Sequence, residues 1–339
     1  GRSAGVSLPA RLPVGATARA IGVEQSNSSF VVGDATVLKV LRRLEPGGSP
    51  ELEMLQFLTA HEFPGIAALQ GFYEYEGRAF SSTLGVAQRY CAGAIGGWEL
   101  ALDIAGSDPD GLLVMLAQLG EITAQMHNCL GSDAADPAFS PEEPSAESLS
   151  LLTATIDEDI ERIFTRLPDD ARVGPIAGRG QDVRERMSIR STAGPSGRLI
   201  RTHGDYHLGQ VLRTAQDGWL IIDFEGEPAR PLHERRQKRS ALRDVASMLR
   251  SFAYLVSAAQ QLGTPARADF ERSARAAFLD SWLEAIDPGL LPAGEPSVLN
   301  LLAIYELEKA IYELQYELEN RPDWLPIPVA GIARLLESG

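Results

Sequence analysis

Strand-like alternation begins near Phe30. Phe30-Val31-Val32, the pair Gly33-Asp34 and then Thr36-Val37-Leu38-Lys39-Val40-Leu41 predict two antiparallel strands joined by a tight turn. The residues before them, 1–20, are small and punctuated by Pro and Gly, with no element signal. Pro50 opens a helix that places Glu51, Leu55 and Leu58 on one face. Strand signals return at 67–69, 71–75 and 84–88 and break at Ala92-Gly93-Ala94. The pattern then turns helical. Helices are predicted from Trp98 to Ile104 and from Leu112 to Leu130, the latter with an apolar stripe at Leu112, Leu116, Leu119, Ile122, Met126 and Leu130. A surface loop covers 131–147, an amphipathic helix 148–167, and a Gly/Arg/Asp-rich stretch 168–198 holds one short helix, 181–190. Two apolar runs follow, Leu199-Ile200 and Trp219 to Ile222, as the arms of a hairpin. Further helices are predicted over 243–255, 268–286 and 301–319, with 287–297 as a turn-rich linker. The last helix has an apolar stripe (Leu301, Ile304, Leu307, Ile311, Leu314, Leu318) and a polar face (Glu306, Lys309, Glu313, Tyr316, Glu317, Asn320).

Strands first and helices afterwards make an α+β chain, and 339 residues suffice for two or three subdomains with real cores. Apolar residues are 44% and charged residues 23%, the balance of a soluble globular protein. No apolar window is long enough for a membrane span, and no basic-then-apolar leader is present, so no membrane role and a cytoplasmic location are expected. Gly1 in place of Met points to a processed, tagged or trimmed chain. A net charge of −15 argues against nucleic-acid binding. Cys91 and Cys129 lie far apart without metal or redox spacing, and are expected to pack as small hydrophobes.

The chemistry concentrates in Thr202-His203-Gly204-Asp205-Tyr206-His207-Leu208-Gly209-Gln210-Val211-Leu212 and Ile221-Ile222-Asp223-Phe224-Glu225-Gly226-Glu227. A tight Gly-Asp turn, an amide and an apolar strand ending in a carboxylate bring Asp205, Gln210 and Asp223 together. Phosphoryl transfer needs this set. One carboxylate (Asp205) orients the attacking hydroxyl and accepts its proton, while a second (Asp223) and an amide oxygen (Gln210) hold Mg²⁺ on the phosphates of ATP. Residues 223 and 225 point the same way if the strand alternation continues, so Glu225 is either a further metal ligand or a solvated loop carboxylate. His203 is expected to fix the loop through backbone hydrogen bonds, and His207 either to do the same or to face substrate. Upstream, Ser26, Asn27 and Ser28 are small polar residues suited to backbone–phosphate approach, with a plain polar turn as the other reading. Lys39, the single charge in an apolar strand, is either an edge-strand residue snorkelling to water or the lysine that binds nucleotide phosphates. Glu51 or Glu53 would pair with it.

HGDYHLGQVL and DFEGEP, with LRDVASMLRSF and YELQYELENRPDWLPIP, resemble the aminoglycoside-phosphotransferase-like kinases, and within them the maltokinase-like group. The resemblance runs from about Gly22 to Leu336 and departs at Gln210, where most relatives carry Asn. It implies a bilobal protein-kinase-like fold, with a small β-rich N-lobe (residues 1–91, a shortened cap included) and a mostly helical C-lobe (92–339). The stretch Gln88, Tyr90 and Cys91 resembles the hinge that binds adenine through its backbone, and Asp244 takes a structural role. ENRPDW joins helix end to loop as in the maltokinase-like group. A Trp beside carboxylates, an amide and an Arg is also how sugars are held, so Glu313, Tyr316, Glu317, Asn320, Arg321 and Trp324 are the candidate sugar contacts. The competing reading is a solvated face with pairs such as Lys309–Glu313.

The expected activity is ATP-dependent phosphorylation of a sugar hydroxyl. A short N-terminus and an acidic sugar face favour glucosamine, giving glucosamine 6-phosphate, over maltose; an aminoglycoside is a third acceptor. A non-catalytic kinase-like module would lack Lys39, Asp205 or Asp223, and a hydrolase would show a GxSxG or HExxH motif; neither condition holds.

Overall fold

The computed structural model describes residues 15–21, 27–191, 197–228 and 230–337. The chain forms two compact units. One runs to Leu100 and takes up His203–Gln237 again; the other comprises Ala101–Thr202 and the chain from Lys238. The hairpin that the sequence reading grouped with the helices of 92–339 thus belongs with the N-terminal sheet. A backbone bond from Ile221 N–H to Gly65 O (2.7 Å) and the Lys39–Asp223 ion pair hold it there.

In the first unit, β1 (Ala18–Ile21), β2 (Asn27–Val32), β3 (Thr36–Leu41), β4 (Leu69–Glu76) and β5 (Ser81–Arg89) form an antiparallel sheet in the order β1-β2-β3-β5-β4. β1 lies in the stretch that carried no element signal. Gly33 and Asp34, with left-handed φ of +59° and +50°, turn β2 into β3 through a three-residue loop that ends at Ala35, so that Val32 pairs with Thr36. The predicted run 71–75 lies in β4, which takes only Leu69 from the predicted run 67–69 and has a register shift between Leu69 and Gly71. A second small sheet pairs β6 (Ile95–Gly96), β7 (Val211–Arg213) and β8 (Trp219–Ile221), so the hairpin arms are β7 and β8. Leu199 and Ile200, expected to be one arm, instead bridge to Glu142 and Arg239.

The helices in chain order are α1 (Pro50–Ala60), α2 (Gly97–Ile104), α3 (Pro109–Leu130), α4 (Ala146–Phe164), α5 (Gly180–Ser191), α6 (Leu232–Arg235), α7 (Leu242–Gln261), α8 (Phe270–Ala285), α9 (Glu295–Asn320) and α10 (Pro326–Glu337). α9 begins inside the predicted linker because Pro296 sits in its first turn, where a missing N–H costs nothing. In the second unit Leu112, Leu116, Leu119, Met126 and Leu130 of α3 are fully buried. Ile122 is only half-buried; Thr123 and Ala124 take the interior positions beside it. α8 comes very close at Gly120, where a Cβ would stand 2.2 Å from the carbonyl oxygen of Phe278. Trp282 Nε1–H donates to His127 Nδ1 (3.1 Å), which leaves the Nε2 proton for Asp244 (3.1 Å). His127 is therefore a packed residue with both ring nitrogens engaged, and Gly131 caps α3.

Gly120→Ala should destabilise the protein by about 2 kcal/mol or more, although Ala is the better helix former, because the backbone of α8 must move. The melting temperature measures this; an unchanged or raised value would mean that α3 and α8 do not approach so closely.

Candidate active site

Lys39 lies on β3, a central strand, so an edge lysine snorkelling to water is ruled out. The residue is 8% exposed. An ammonium buried this deeply needs opposite charge close by. Glu51 supplies it, with both carboxylate oxygens near Nζ (3.2 and 3.1 Å), and Asp223 supplies a second contact. Glu53 does not take part. Residues two apart on a helix face different directions, and Glu53 instead accepts from Arg236 Nε at 3.0 Å. Burial disfavours charge on Lys39, but Glu51, Asp223 and Glu225 outweigh it and hold the ammonium well above its ordinary value. Burial pushes Glu51 up, against the pull of Lys39. Asp223 is held below the usual carboxylate range: burial works against this, and Lys39 prevails.

The backbone brings Asp223 to that ammonium through a strained turn. β8 ends at Ile221, Ile222 N–H donates to Gln210 O (3.0 Å), and Asp223 adopts φ +66°, which non-glycine residues rarely take. His203 donates from Nε2 to Ile222 O (2.8 Å), and its Nδ1 faces the N–H of Asp205 at 3.4 Å. One ring thus ties the Asp205 loop to the Asp223 turn. Gly204 (φ +85°) allows the close passage, since a Cβ there would stand 3.3 Å from the Cα of Gly226. Gln210 Nε2 donates to Asp223 Oδ2 at 3.1 Å. His207 Nδ1 accepts from Gly209 N–H (3.1 Å), and its Nε2 lies 3.9 Å from Asp205 Oδ2.

Asn27, at the start of β2, donates to both oxygens of Glu225 (3.2 and 3.1 Å), so Glu225 is tied to the sheet and is not a solvated loop carboxylate. Ser28 pairs with Val40 across β2 and β3; Ser26 lies outside the described residues. Gln88 is in β5, its amide donating to Ala67 O (2.8 Å). Tyr90 gives its N–H to Ala35 O (2.8 Å) and accepts from Arg19 at its hydroxyl (2.8 Å). Cys91 O accepts from Ala94 N–H at 3.3 Å. A cleft of about 350 Å³ borders this unit's polar residues, lined by Asn27, Arg43, Ser49, Glu225 and Arg235 among others. Among the described residues no group of three or more His, Cys, Asp or Glu could hold a metal by itself, and no helix is long and apolar enough to cross a membrane.

In the second unit the polar face of α9 is only partly solvated, with Tyr316 and Asn320 exposed. Glu306, Glu313 and Glu317 are buried, at 7%, 7% and 1% exposure. Each has a guanidinium: Arg275 on Glu306 (2.6 and 3.0 Å), Arg250 on Glu313 (3.0 and 2.6 Å) and Arg321 on Glu317 (2.9 and 2.7 Å). Glu313 therefore pairs with Arg250, while Lys309 sits over the Tyr312 ring. Tyr254 adds its hydroxyl to Glu317 (3.0 Å) and stacks on Trp324, with ring centroids 5.9 Å apart. Arg321 lies over the rings of Tyr316 and Trp324. Asn320, which is exposed, donates from Nδ2 to Tyr316 O (2.9 Å). Arg172 Nη1 donates to Pro322 O (2.9 Å) and holds the Trp324 turn. Tyr316, Asn320, Arg321 and Trp324 thus present surface, and Glu313 and Glu317 stand behind it. Sequence reasoning missed Arg250, Tyr254 and Arg172; the signal for Arg250 was a lone charge inside the apolar run of α7.

Arg250→Met should cost about 3–5 kcal/mol by leaving Glu313 buried and uncompensated, and Arg250→Met with Glu313→Leu should recover most of the loss. Denaturant unfolding tests this; a single variant as stable as wild type would remove the pair from the core's energetics.

Residues 17–226 match the model of the phosphotransferase enzyme family. The glucosamine kinase of Mycolicibacterium smegmatis is 28% identical over an alignment of 348 residues, covering 95% of this chain and 80% of that protein. The glucosamine kinase of Streptacidiphilus jiangxiensis is 28% identical over 335 residues, covering 94% of this chain and 73% of that protein. In fold, the chain is similar to a glucosamine kinase solved in complex with glucosamine, ADP and inorganic phosphate, with a TM-score of 0.75, 24% identity and coverage of 94% of this chain and 76% of that one.

Proposed function

The chain belongs to the phosphotransferase enzyme family, and on that premise we propose that it transfers the terminal phosphoryl group of ATP to a hydroxyl of glucosamine, yielding glucosamine 6-phosphate. The observation that carries the phosphotransfer reading is the buried ammonium of Lys39 between Glu51 and Asp223, joined through His203 to the Asp205 loop. Glucosamine is supported by the two relatives of that activity, which align with nearly all of the chain.

Lys39 exchanges its contact with Asp223 for phosphate oxygens of the nucleotide and keeps Glu51 as its anchor. Asp205 accepts a hydrogen bond from the sugar hydroxyl, aims its oxygen at the phosphorus and takes the proton late, as a loose transition state requires. Asp223 with the amide oxygen of Gln210, and Glu225 beside them, would hold Mg²⁺. One or two carboxylates with an amide oxygen suit Mg²⁺, which when bound would supply neutralisation of charge on the transferring group. The backbone of 88–91 would meet the adenine, with Asn27 and Ser28 near the phosphates. In the second unit, Trp324, Tyr316, Asn320 and Arg321 form the sugar-facing candidate group, with Glu317 holding Arg321 in place and Glu313 bracing α9 behind it; His207 is a further candidate in the first unit.

The test is coupled ADP release with Mg-ATP against glucosamine, maltose, glucose and kanamycin, using wild type and Asp205→Asn. Glucosamine should turn over best, and Asp205→Asn should lower kcat by about 10²–10⁴-fold with nucleotide affinity retained. Turnover of maltose alone would refute the acceptor, and a fully active Asp205→Asn would refute the base.

A further inference from the structure

The chain that follows Asp223 doubles back against the β3–α1 connection, and it does so through two adjacent arginines. Arg235 is nearly buried, its side chain 7% exposed. It binds Glu45 in the β3–α1 connection through Nη2 and donates from Nη1 to Glu225 O at 3.3 Å. Arg236 reaches Glu53 in the first turn of α1, with Nε to Oε2 at 3.0 Å and a second contact through Nη2. Leu232 packs so tightly on Gly47 that a Cβ there would meet Leu232 Cδ2 at 3.3 Å. The segment holds its own shape through Arg230, which binds Glu227 and Glu234.

These contacts converge on one object, the first turn of α1. That turn carries Glu51 towards Lys39 and Glu53 towards Arg236, on different sides of the helix. Ser49 makes no side-chain cap, so the turn is not fixed by the usual local bond. Ser49 N–H donates to Thr83 Oγ1 (3.1 Å) ahead of the turn, and a cation holds the turn itself on each side: Lys39 from the sheet and Arg236 from the segment beyond Asp223. Arg235 holds the connection leading into the helix.

We propose that Arg235 and Arg236 are positioning residues for the nucleotide site: they set the first turn of α1, thereby the Glu51 carboxylate, and through it the Lys39 ammonium. This rests on the reading of Lys39 as the nucleotide-phosphate ligand, and it makes the segment after Asp223 report on the state of the lysine. A segment displaced from Glu45 and Glu53 would release α1 and thereby loosen Lys39.

Calorimetric titration with Mg-ADP on Arg236→Glu, Glu53→Arg and the double exchange provides the test, with glucosamine KM as the second readout. Each single variant should weaken Mg-ADP binding by about 5–10-fold and leave glucosamine KM within about twofold, and the double variant should recover most of the loss by restoring the pair in reverse. Raised salt should weaken wild-type nucleotide binding more than that of Arg236→Gln, because the pair is partly exposed and screened. Arg236→Gln also replaces the reversed charge if Arg236→Glu fails to fold. Wild type that binds Mg-ADP while the single variants bind it equally well would overturn the proposal alone, as would a double variant weaker than either single. Wild type that does not bind Mg-ADP would overturn the reading of Lys39 and this proposal with it.

Discussion

A protonated lysine in the middle of a sheet is the constraint from which the first unit follows. An ammonium at 8% exposure is tolerable only with carboxylates in contact. One must come from the helix after β3 and one from a turn far along the chain. Glu51 requires α1 to dock with its first turn against the sheet. Asp223 requires the hairpin to return, which the left-handed φ at Asp223 and the glycines at 204 and 226 allow. On the proposed reading, the same ion pairs would leave the site ready for a polyanion. Phosphate oxygens would then replace Asp223 at Lys39 and release that carboxylate for a cation, while Glu51 would keep the lysine in place.

The second unit solves the same problem with the signs reversed. Glu306, Glu313 and Glu317 are buried carboxylates on one helix, and each is met by an arginine in bidentate or two-nitrogen geometry. Such pairs give little net stability against apolar residues of equal volume, but removing one partner is costly, so they fix orientation. Arg321 shows the use of this. Held by Glu317, it lies over the rings of Tyr316 and Trp324, and Tyr254 supports both the carboxylate and the indole. The exposed group at the end of α9 is thereby ordered before any ligand arrives.

The elements whose signals are local were legible in the sequence. The β2–β3 hairpin showed in its alternation and its Gly-Asp turn, and α3 in its apolar stripe. The HGD loop, Lys39 and Asp223 stood out as polar residues in otherwise apolar or tightly turning runs. Pairings over long separations were not legible. Asn27 and Glu225 are 198 positions apart and Arg250 and Glu313 are 63 apart, and nothing local marks either pair. For the same reason the sequence left a solvated face open as the competing reading of α9, because three glutamates look polar until their arginines are known. The choice between Glu51 and Glu53 also needed coordinates, since both lie in the first turn of α1 and only the packing decides which one meets the sheet. β1 escaped because four residues, Ala18–Ile21, carry too short a pattern to register.

The central claim is that Lys39, held by Glu51, is the cationic end of a nucleotide site. Isothermal titration of Mg-ADP into Lys39→Met, with wild type alongside, addresses it without reference to any acceptor. A folded Lys39→Met protein should bind Mg-ADP at least about tenfold more weakly, the loss of one charge-assisted contact to phosphate. Equal affinity in the two proteins would mean that the buried lysine is a structural ion pair and that the nucleotide, if one binds, is held elsewhere.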